Sequence, residues 1–396
     1  MLPEALRAAP LPVAPLDHPE RLACLRLIRS ESIGPVEFRR LINLYGGATQ
    51  ALDAVPELAR RGGRRRNIRI CDRSRAEAEL AASARIGTTP LFTIEPGYPA
   101  TLAAVDHPPP MVYARGRIEL LNQAAVAVVG SRNCSSAGHA LARQLASDLG
   151  NAGIAVISGL ARGIDGAAHT AALDTGTIAV VAGGIDKVYP PEHADLHQQI
   201  AERGCLVSEM PPGFQPRAKD FPRRNRVISG ISYGVVIVEA ARRSGTLITA
   251  RLANEQGREV FAVPGHPLDP RAEGTNRLIK SGATLVTAAD DILNVIQPML
   301  AGPLATPPRG DITPSARQAT ATPRRPVAPP VLDATSDAQR DRVEQALGPA
   351  PLHIDDVLRA TGLSAQSLQI ALLELSLAGR LEYHGAHLIS LRIDSN

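Results

Sequence analysis

The stretch Ile154-Ala-Val-Ile157-Ser158-Gly-Leu-Ala-Arg-Gly-Ile-Asp-Gly-Ala-Ala-His169 decides the architecture of this chain. Its opening run, Ile154 to Ile157, is unbroken and apolar, as in a strand buried on both faces. A glycine-punctuated turn follows, and Ala167 to Leu173 then reads as a helix. A buried strand that turns into a helix is the repeating half of a parallel α/β sheet. The same turn is suited to an anion, because free N–H groups and the positive end of the helix dipole face the loop. Arg162 adds a fixed charge with a fork of donors matched to phosphate.

The pattern repeats on both sides of this stretch. Ala125 to Val129, Ile178 to Ala182, Gly234 to Val238 and Val260 to Val263 are further apolar runs, with a shorter one near Ala283 to Val286. Helix-length segments separate them, so right-handed crossovers and a largely parallel sheet are expected over 89–298. After a tail at 1–18, residues 19–88 are helical in pattern. There Phe38, Leu41, Ile42 and Tyr45 share one face, Gly46-Gly47 ends that helix, and a basic cluster runs from Arg60 to Arg69. Residues 299–336 are rich in proline and should form an extended linker. Residues 337–396 show three helices and a hairpin, the pattern of a winged helix. Ser364 is expected to cap the third helix, which carries Leu368, Ala371, Leu372 and Leu375 on one face and exposes Gln366, Gln369 and Glu374. That helix is nearly free of Lys and Arg, so a protein contact, or at most a weak DNA contact, is expected of it rather than the reading of duplex DNA. The fold class is α/β: a Rossmann-like, mostly parallel sheet between an N-terminal helical domain and a C-terminal winged helix.

Composition narrows the function. The 396 residues are 44% hydrophobic and 21% charged, with a net charge of +4, as for a globular protein that mildly favours anionic partners. Aromatics are 3% and tryptophan is absent, which argues against stacking on many platforms. Cys24, Cys71, Cys134 and Cys205 are far apart and imply free thiols, with neither a disulfide framework nor a zinc site. No leader and no membrane span is legible, so a cytoplasmic location is expected.

The chemistry gathers where a parallel sheet binds ligands, at the carboxyl ends of its strands. Gly130-Ser131-Arg132 follows the first run, and Ser158-Gly159 with Arg162-Gly163 the second. Gly183-Gly184 follows the third and Glu239 to Thr246, including Ser244-Gly245, the fourth. So many phosphate-type turns on one edge exceed what a mononucleotide needs. Neither a P-loop nor a Gly-x-Gly-x-x-Gly turn after the first strand is present, against an ATPase or a dinucleotide enzyme. Phe221-Pro-Arg-Arg-Asn-Arg226 adds a compact donor set, Arg223, Arg224, Asn225 and Arg226, with Phe221 as a stacking face. Lys219 and Arg217 extend its charge. His193 and His197 lack a third metal ligand and read as an exposed helix face. Asp165 and His169 are spaced as an acid/base pair, with capping of the helix N-terminus as the preferred role for Asp165. Glu209 and Glu239 are the remaining catalytic candidates.

At these residues the chain resembles the DprA/Smf family of bacterial DNA-processing proteins. The similarity rests on Val128-Val-Gly-Ser-Arg132, the Ser158 to His169 segment, Tyr189-Pro190, Phe221 to Arg226, Ser244-Gly-Thr246, Phe261-Ala-Val-Pro-Gly265 and Gly274 to Ile279. Tyr98-Pro99 and Pro110 to Gly116 match its lead-in. The resemblance implies a sterile-alpha-motif-like domain before the core and a winged helix after it. It also implies a non-enzymatic protein, without cofactor or metal, that binds single-stranded DNA without sequence preference. Such proteins protect incoming DNA in natural transformation, form homodimers and help load the RecA recombinase. Gly130, Ser131, Arg132, Ser158, Gly159, Arg162, Gly163, Lys219, Phe221, Arg223, Arg224, Asn225, Arg226, Ser244 and Gly245 would line the DNA groove. The competing expectation is a nucleotide-hydrolysing enzyme of the phosphoribohydrolase type, for which Glu239 is the needed glutamate.

Overall fold

The computed structural model describes residues 15–301, 336–384 and 387–392. The expected linker lies outside them apart from its ends, as does most of the tail. α1 (His18–Arg29) begins where the Asp17 side chain accepts from Glu20 N. α2 (Pro35–Tyr45) carries proline in its first turn and ends at Gly46, φ 74°, a left-handed position that glycine occupies without penalty. α3 (Ala48–Arg61) buries Leu52, Val55 and Leu58, and α4 (Arg73–Arg85) follows. The basic cluster is largely paired here: Arg60 with Glu57, Arg64 and Arg69 with Glu31.

The sheet is built by β1 (Thr89–Phe92), β2 (Met111–Gly116), β3 (Ala125–Val129), β4 (Ala155–Ser158), β5 (Thr177–Val180), β6 (Cys205–Ser208), β7 (Gly234–Ile237), β8 (Glu259–Ala262) and β9 (Thr284–Leu285). The helices between and after them are α5 (Ala100–Ala103), α6 (Ser136–Asn151), α7 (Ile164–Ala172), α8 (Ala194–Arg203), α9 (Asp220–Ile231), α10 (Thr246–Glu255), α11 (Glu273–Lys280) and α12 (Ala289–Ala301). The strand order is β1-β2-β6-β5-β4-β3-β7-β8-β9. All pairs from β6 to β9 are parallel, while β1 and β2 add an antiparallel edge. The expected strands are present, and three were not anticipated. β1 and β2 lie beyond the repeating strand–helix pattern, and the apolar run of β6 is only the three residues Cys205-Leu-Val207 between Gly204 and Ser208.

Both faces of the sheet are covered. Ala125, Ala127 and Val129 join the apolar cluster under α9 and α10, whereas Val126 and Val128 join the one under α6, α7 and α12. This alternation explains why every strand reads as continuously apolar.

The last element group comprises α13 (Asp337–Ala346), β10 (Leu352–His353), α14 (Ile354–Thr361), α15 (Ala365–Leu377), β11 (Leu381–His384) and β12 (Leu388–Leu391), with strand order β10-β12-β11. Ser364 caps α15 by accepting from Ser367 N at 3.1 Å. One expectation is corrected: Gln366 is exposed, but Glu374 is fully buried. The N-terminal helices and the winged helix fall in one compact unit, and the sheet with its covering helices in the other.

Candidate nucleic-acid interface

The turn after β4 is held in a costly shape. Leu160 has φ 53° and Gly163 φ 73°. A left-handed leucine costs on the order of 1–2 kcal/mol and persists only where its surroundings fix it. Here Leu160 is fully buried, its N–H donates to His169 Nε2 at 3.3 Å, and its carbonyl meets His193 Nδ1 at 3.1 Å. Asp165 Oδ2 accepts from Gly159 N at 3.1 Å and from Ala161 N at 3.3 Å. The amides of residues 159–161 are therefore satisfied within the protein. The expectation of a loop of free N–H groups is corrected at these positions, because two buried side chains inside α7 have taken them. Asp165 likewise ties the loop rather than the start of the helix, where Gly163 stands.

His169 is no acid/base partner for Asp165. Burial pushes its imidazole down to about 3, and the neighbouring side chains of His193 and Arg224 act in the same direction. The neutral ring contacts Thr177 Oγ1 at 2.7 Å, and that hydroxyl donates to Val156 O at 3.0 Å. Nδ1 is accordingly the protonated nitrogen and Nε2 the acceptor.

Arg224 lies beneath the same turn. Its Nη1 donates to Gly159 O at 2.8 Å and to Val180 O, joining the ends of β4 and β5. Burial lowers its pKa to about 10, opposed by Asp165, so it stays charged at neutral pH. A Cβ on Gly159 would stand 2.7 Å from Arg224 Nη2 and 2.8 Å from Asp165 Oδ2, which only glycine avoids. Arg226 is also engaged, with Glu209 and with His107 O at 2.9 Å. Asn225 Oδ1 accepts from Arg224 Nε at 3.3 Å. Ser158 is buried and donates to Val128 O at 2.7 Å.

Above this layer is an open cleft of ≈ 350 Å³, lined by Arg132, Gly159, Ala161, Arg162, Tyr189, Pro190, Phe221 and Arg224. Phe221, in the first turn of α9, has the Tyr189 ring 5.0 Å away at 55° and the Arg132 guanidinium 5.6 Å over its face. Tyr189 precedes a cis peptide to Pro190 and is 49% exposed. Arg162 is exposed and paired with Glu192. Lys219 and Arg223 are exposed at the start of α9. Of the expected groove residues, Arg132, Arg162, Lys219, Arg223 and Gly245 are exposed, and Ser131, Gly163, Phe221 and Ser244 are half-buried. Gly130, Ser158, Gly159, Arg224, Asn225 and Arg226 form or brace the floor.

The strand order reverses between β3 and β7, where nucleotide-binding folds of this class open a crevice. Here it is closed. Thr246 Oγ1 donates to Gly130 O at 3.0 Å. Glu239 accepts from Ser135 N at 3.0 Å and from its hydroxyl, against the N-terminus of α6. Both remaining carboxylate candidates, Glu239 and Glu209, thus hold protein groups. His197 is buried rather than exposed, and His193 is half-buried, contrary to the open helix face expected for the pair. Among the described residues no cluster of metal-ligating side chains exists, the four cysteines are free thiols, and no helix is long and apolar enough to cross a membrane.

The family model described as DNA recombination-mediator protein A matches residues 89–297, more than half of the chain. The chain belongs to the DNA recombination-mediator protein A family. Its flanks match a DprA-like N-terminal HHH domain at 18–82 and a DprA winged helix domain at 326–387. Protein Smf of Escherichia coli is 48% identical over 203 residues, covering 50% of this chain and 54% of that protein. The DNA processing protein DprA of Streptococcus pneumoniae is 44% identical over 207 residues, covering 52% and 73%. The putative DNA processing protein DprA of Mycobacterium tuberculosis is 37% identical over 355 residues, covering 85% and 86%. The X-ray structure of the pneumococcal DprA aligns with TM-score 0.53 at 39% identity, over 56% of this chain and 77% of that one. Within this DNA recombination-mediator protein A core, sequence reasoning passed over Tyr189 as a site residue. Its signal was the Tyr189-Pro190 pair in the segment after β5, where an aromatic before proline stands at a strand's carboxyl end.

Proposed function

We propose that this chain binds single-stranded DNA along the cleft at the carboxyl edge of its parallel sheet, reading no sequence and catalysing no reaction. The observation that carries this is the grouping of exposed Tyr189 and Arg132 around the half-buried Phe221 ring, at a cleft edged by unburied cations. A ring offered at a surface cleft takes a base only when that base is unstacked, which a single strand provides. Arg132, Arg162, Lys219 and Arg223 supply countercharge to successive phosphates, with exposed Arg242 and Arg243 after β7 extending the track. Glu192 holds Arg162 in the free protein, and a phosphate competes for the same guanidinium fork. Ser131, Gly163, Ser244 and Gly245 are small enough for backbone to approach the strand. Family membership supports the wider reading, in which the protein is cytoplasmic, dimerises, protects DNA entering during transformation and assists RecA loading. The engagement of Glu239 and Glu209 weighs against nucleotide hydrolysis.

The test is fluorescence anisotropy of a labelled oligonucleotide across a salt series, with duplex competitor. Tight, salt-steep binding that duplex barely competes is expected. Arg132→Ala should weaken binding equally across sequences and flatten the salt slope by roughly 0.7 for the lost phosphate contact. Absence of binding at low salt would end this reading and turn attention to hydrolysis assays on Glu239→Gln.

A further inference from the structure

α15 follows α14 where a helix-turn-helix protein places the helix that enters the DNA groove. Its surface is not that of a reader, since no Lys or Arg occurs from Ala365 to Leu377. It is apolar on two sides. Leu368, Ala371, Leu372 and Leu375 enter the winged-helix core. Ile370, Leu373 and Leu377 do not belong to that core, yet they are only 5%, 1% and 0% exposed. A second buried apolar side on one helix requires a second packing partner. The cover comes from α2 and α3 of the N-terminal helical domain, which pack against α15 within the same compact unit.

The polar contacts match this packing. Glu374, fully buried, pairs with Arg61 at the end of α3 at 2.9 Å and faces Arg340 of α13 at 3.8 Å. Ser376 donates to Glu37 of α2 at 2.5 Å. Arg40 of α2 donates to the Tyr383 hydroxyl and stands 5.1 Å over its ring. Arg64 reaches Leu377 O at 3.3 Å. The backbone itself approaches closely, because a Cβ added to Gly62 would lie 2.0 Å from Glu374 O. The charge that the sequence shows at Arg61 and Arg64 is therefore turned inward, onto the winged helix.

We infer that the winged helix is a protein-docking module whose occupant is the N-terminal helical domain of the same chain. The α3–α15 contact holds the first and last folded parts of the chain together without help from the connecting residues, and it closes α15 to duplex DNA. This does not depend on the single-strand reading, which concerns the sheet.

The experiment uses the full chain with a protease site introduced within residues 302–335, cleaved in the folded state and passed over a sizing column. The fragment carrying the winged helix is expected to remain bound to the rest, one to one. Gly62→Val in the same chain should release it, weakening the association by about tenfold or more. Gly62 has φ −67°, open to any residue, so the obstacle to a side chain there is α15 itself. Unchanged far-ultraviolet circular dichroism would show that the variant is folded. Leu373→Asp should release the fragment as well, and Gln366→Ala, at an exposed position of α15, should not. Dissociation of the fragment from the unaltered cleaved chain would overturn the inference. So would retention in both Gly62→Val and Leu373→Asp, or exchange of winged helices between differently tagged uncleaved copies.

Discussion

Three arginines lie within four residues on α9, and the fold gives each a different task. Arg223 is exposed, Arg224 is buried under the loop after β4, and Arg226 is held by Glu209. Replacing Phe221 by alanine should cost about 1–3 kcal/mol of binding, the worth of one base on one ring, while leaving the salt slope and the melting temperature nearly unchanged. Arg224→Leu should behave in the opposite way. It leaves Gly159 O and Val180 O unpaired and Asp165 without its buried countercharge, a loss of about 3–5 kcal/mol of stability in urea unfolding. A variant that folds with wild-type stability but loses binding would show that Arg224 touches DNA instead. As a compact basic cluster the three are indistinguishable in sequence. As a helix they separate, because Arg224 shares its face with Val227, Ile228 and Ile231, all buried, whereas Arg223 does not. The spacing was present, and the concentration of charge concealed it.

The element that gives the site its shape is the strand–turn–helix from β4 to α7, and it is fixed from below by two titratable side chains. His169 is kept neutral in the fold, with a pKa of about 3 against an ordinary 6.5. A folded value below the unfolded one means that protons bind preferentially to the unfolded chain. The stability associated with this residue is complete above pH 6.5 and is lost as pH falls from there toward 3. Between pH 6.5 and 4.5 the loss should be on the order of 2–3 kcal/mol. His169→Gln removes the titrating group, so its urea stability should fall less steeply over that interval, and an equal slope in both proteins would refute the assignment. The strand, the turn and the helix were each legible in sequence, since burial on both sheet faces leaves β4 apolar up to Ser158, where the turn begins, and small residues mark the turn. The fate of the amides was not. Asp165 and His169 lie four apart within one helix, and only the left-handed Leu160 folds the loop back onto both. β1 and β2 escaped for a related reason: they join the sheet by antiparallel pairing at its edge, outside the crossover pattern.

At the scale of the molecule, the order of parts along the chain was readable, and the association of its first and last parts was not. Glu374 reads as a surface residue on a helix whose other face is apolar; its burial depends on Arg61, more than three hundred positions earlier. The sheet has apolar clusters on its two faces and the winged helix has its own, so a ligand bound to the sheet should stabilise that unit. Thermal unfolding of the full chain is therefore expected to show two calorimetric transitions. Single-stranded DNA at about a hundred times its Kd should add roughly 2.7 kcal/mol to the sheet unit and raise its transition by about 5–10 °C. Leu373→Asp buries a charge against α2 and α3, and should lower the other transition while leaving the first in place and still responsive to DNA. If DNA moves the transition that Leu373→Asp also moves, then the winged helix or the helical domain takes part in binding, and the division of labour between sheet and docking unit fails.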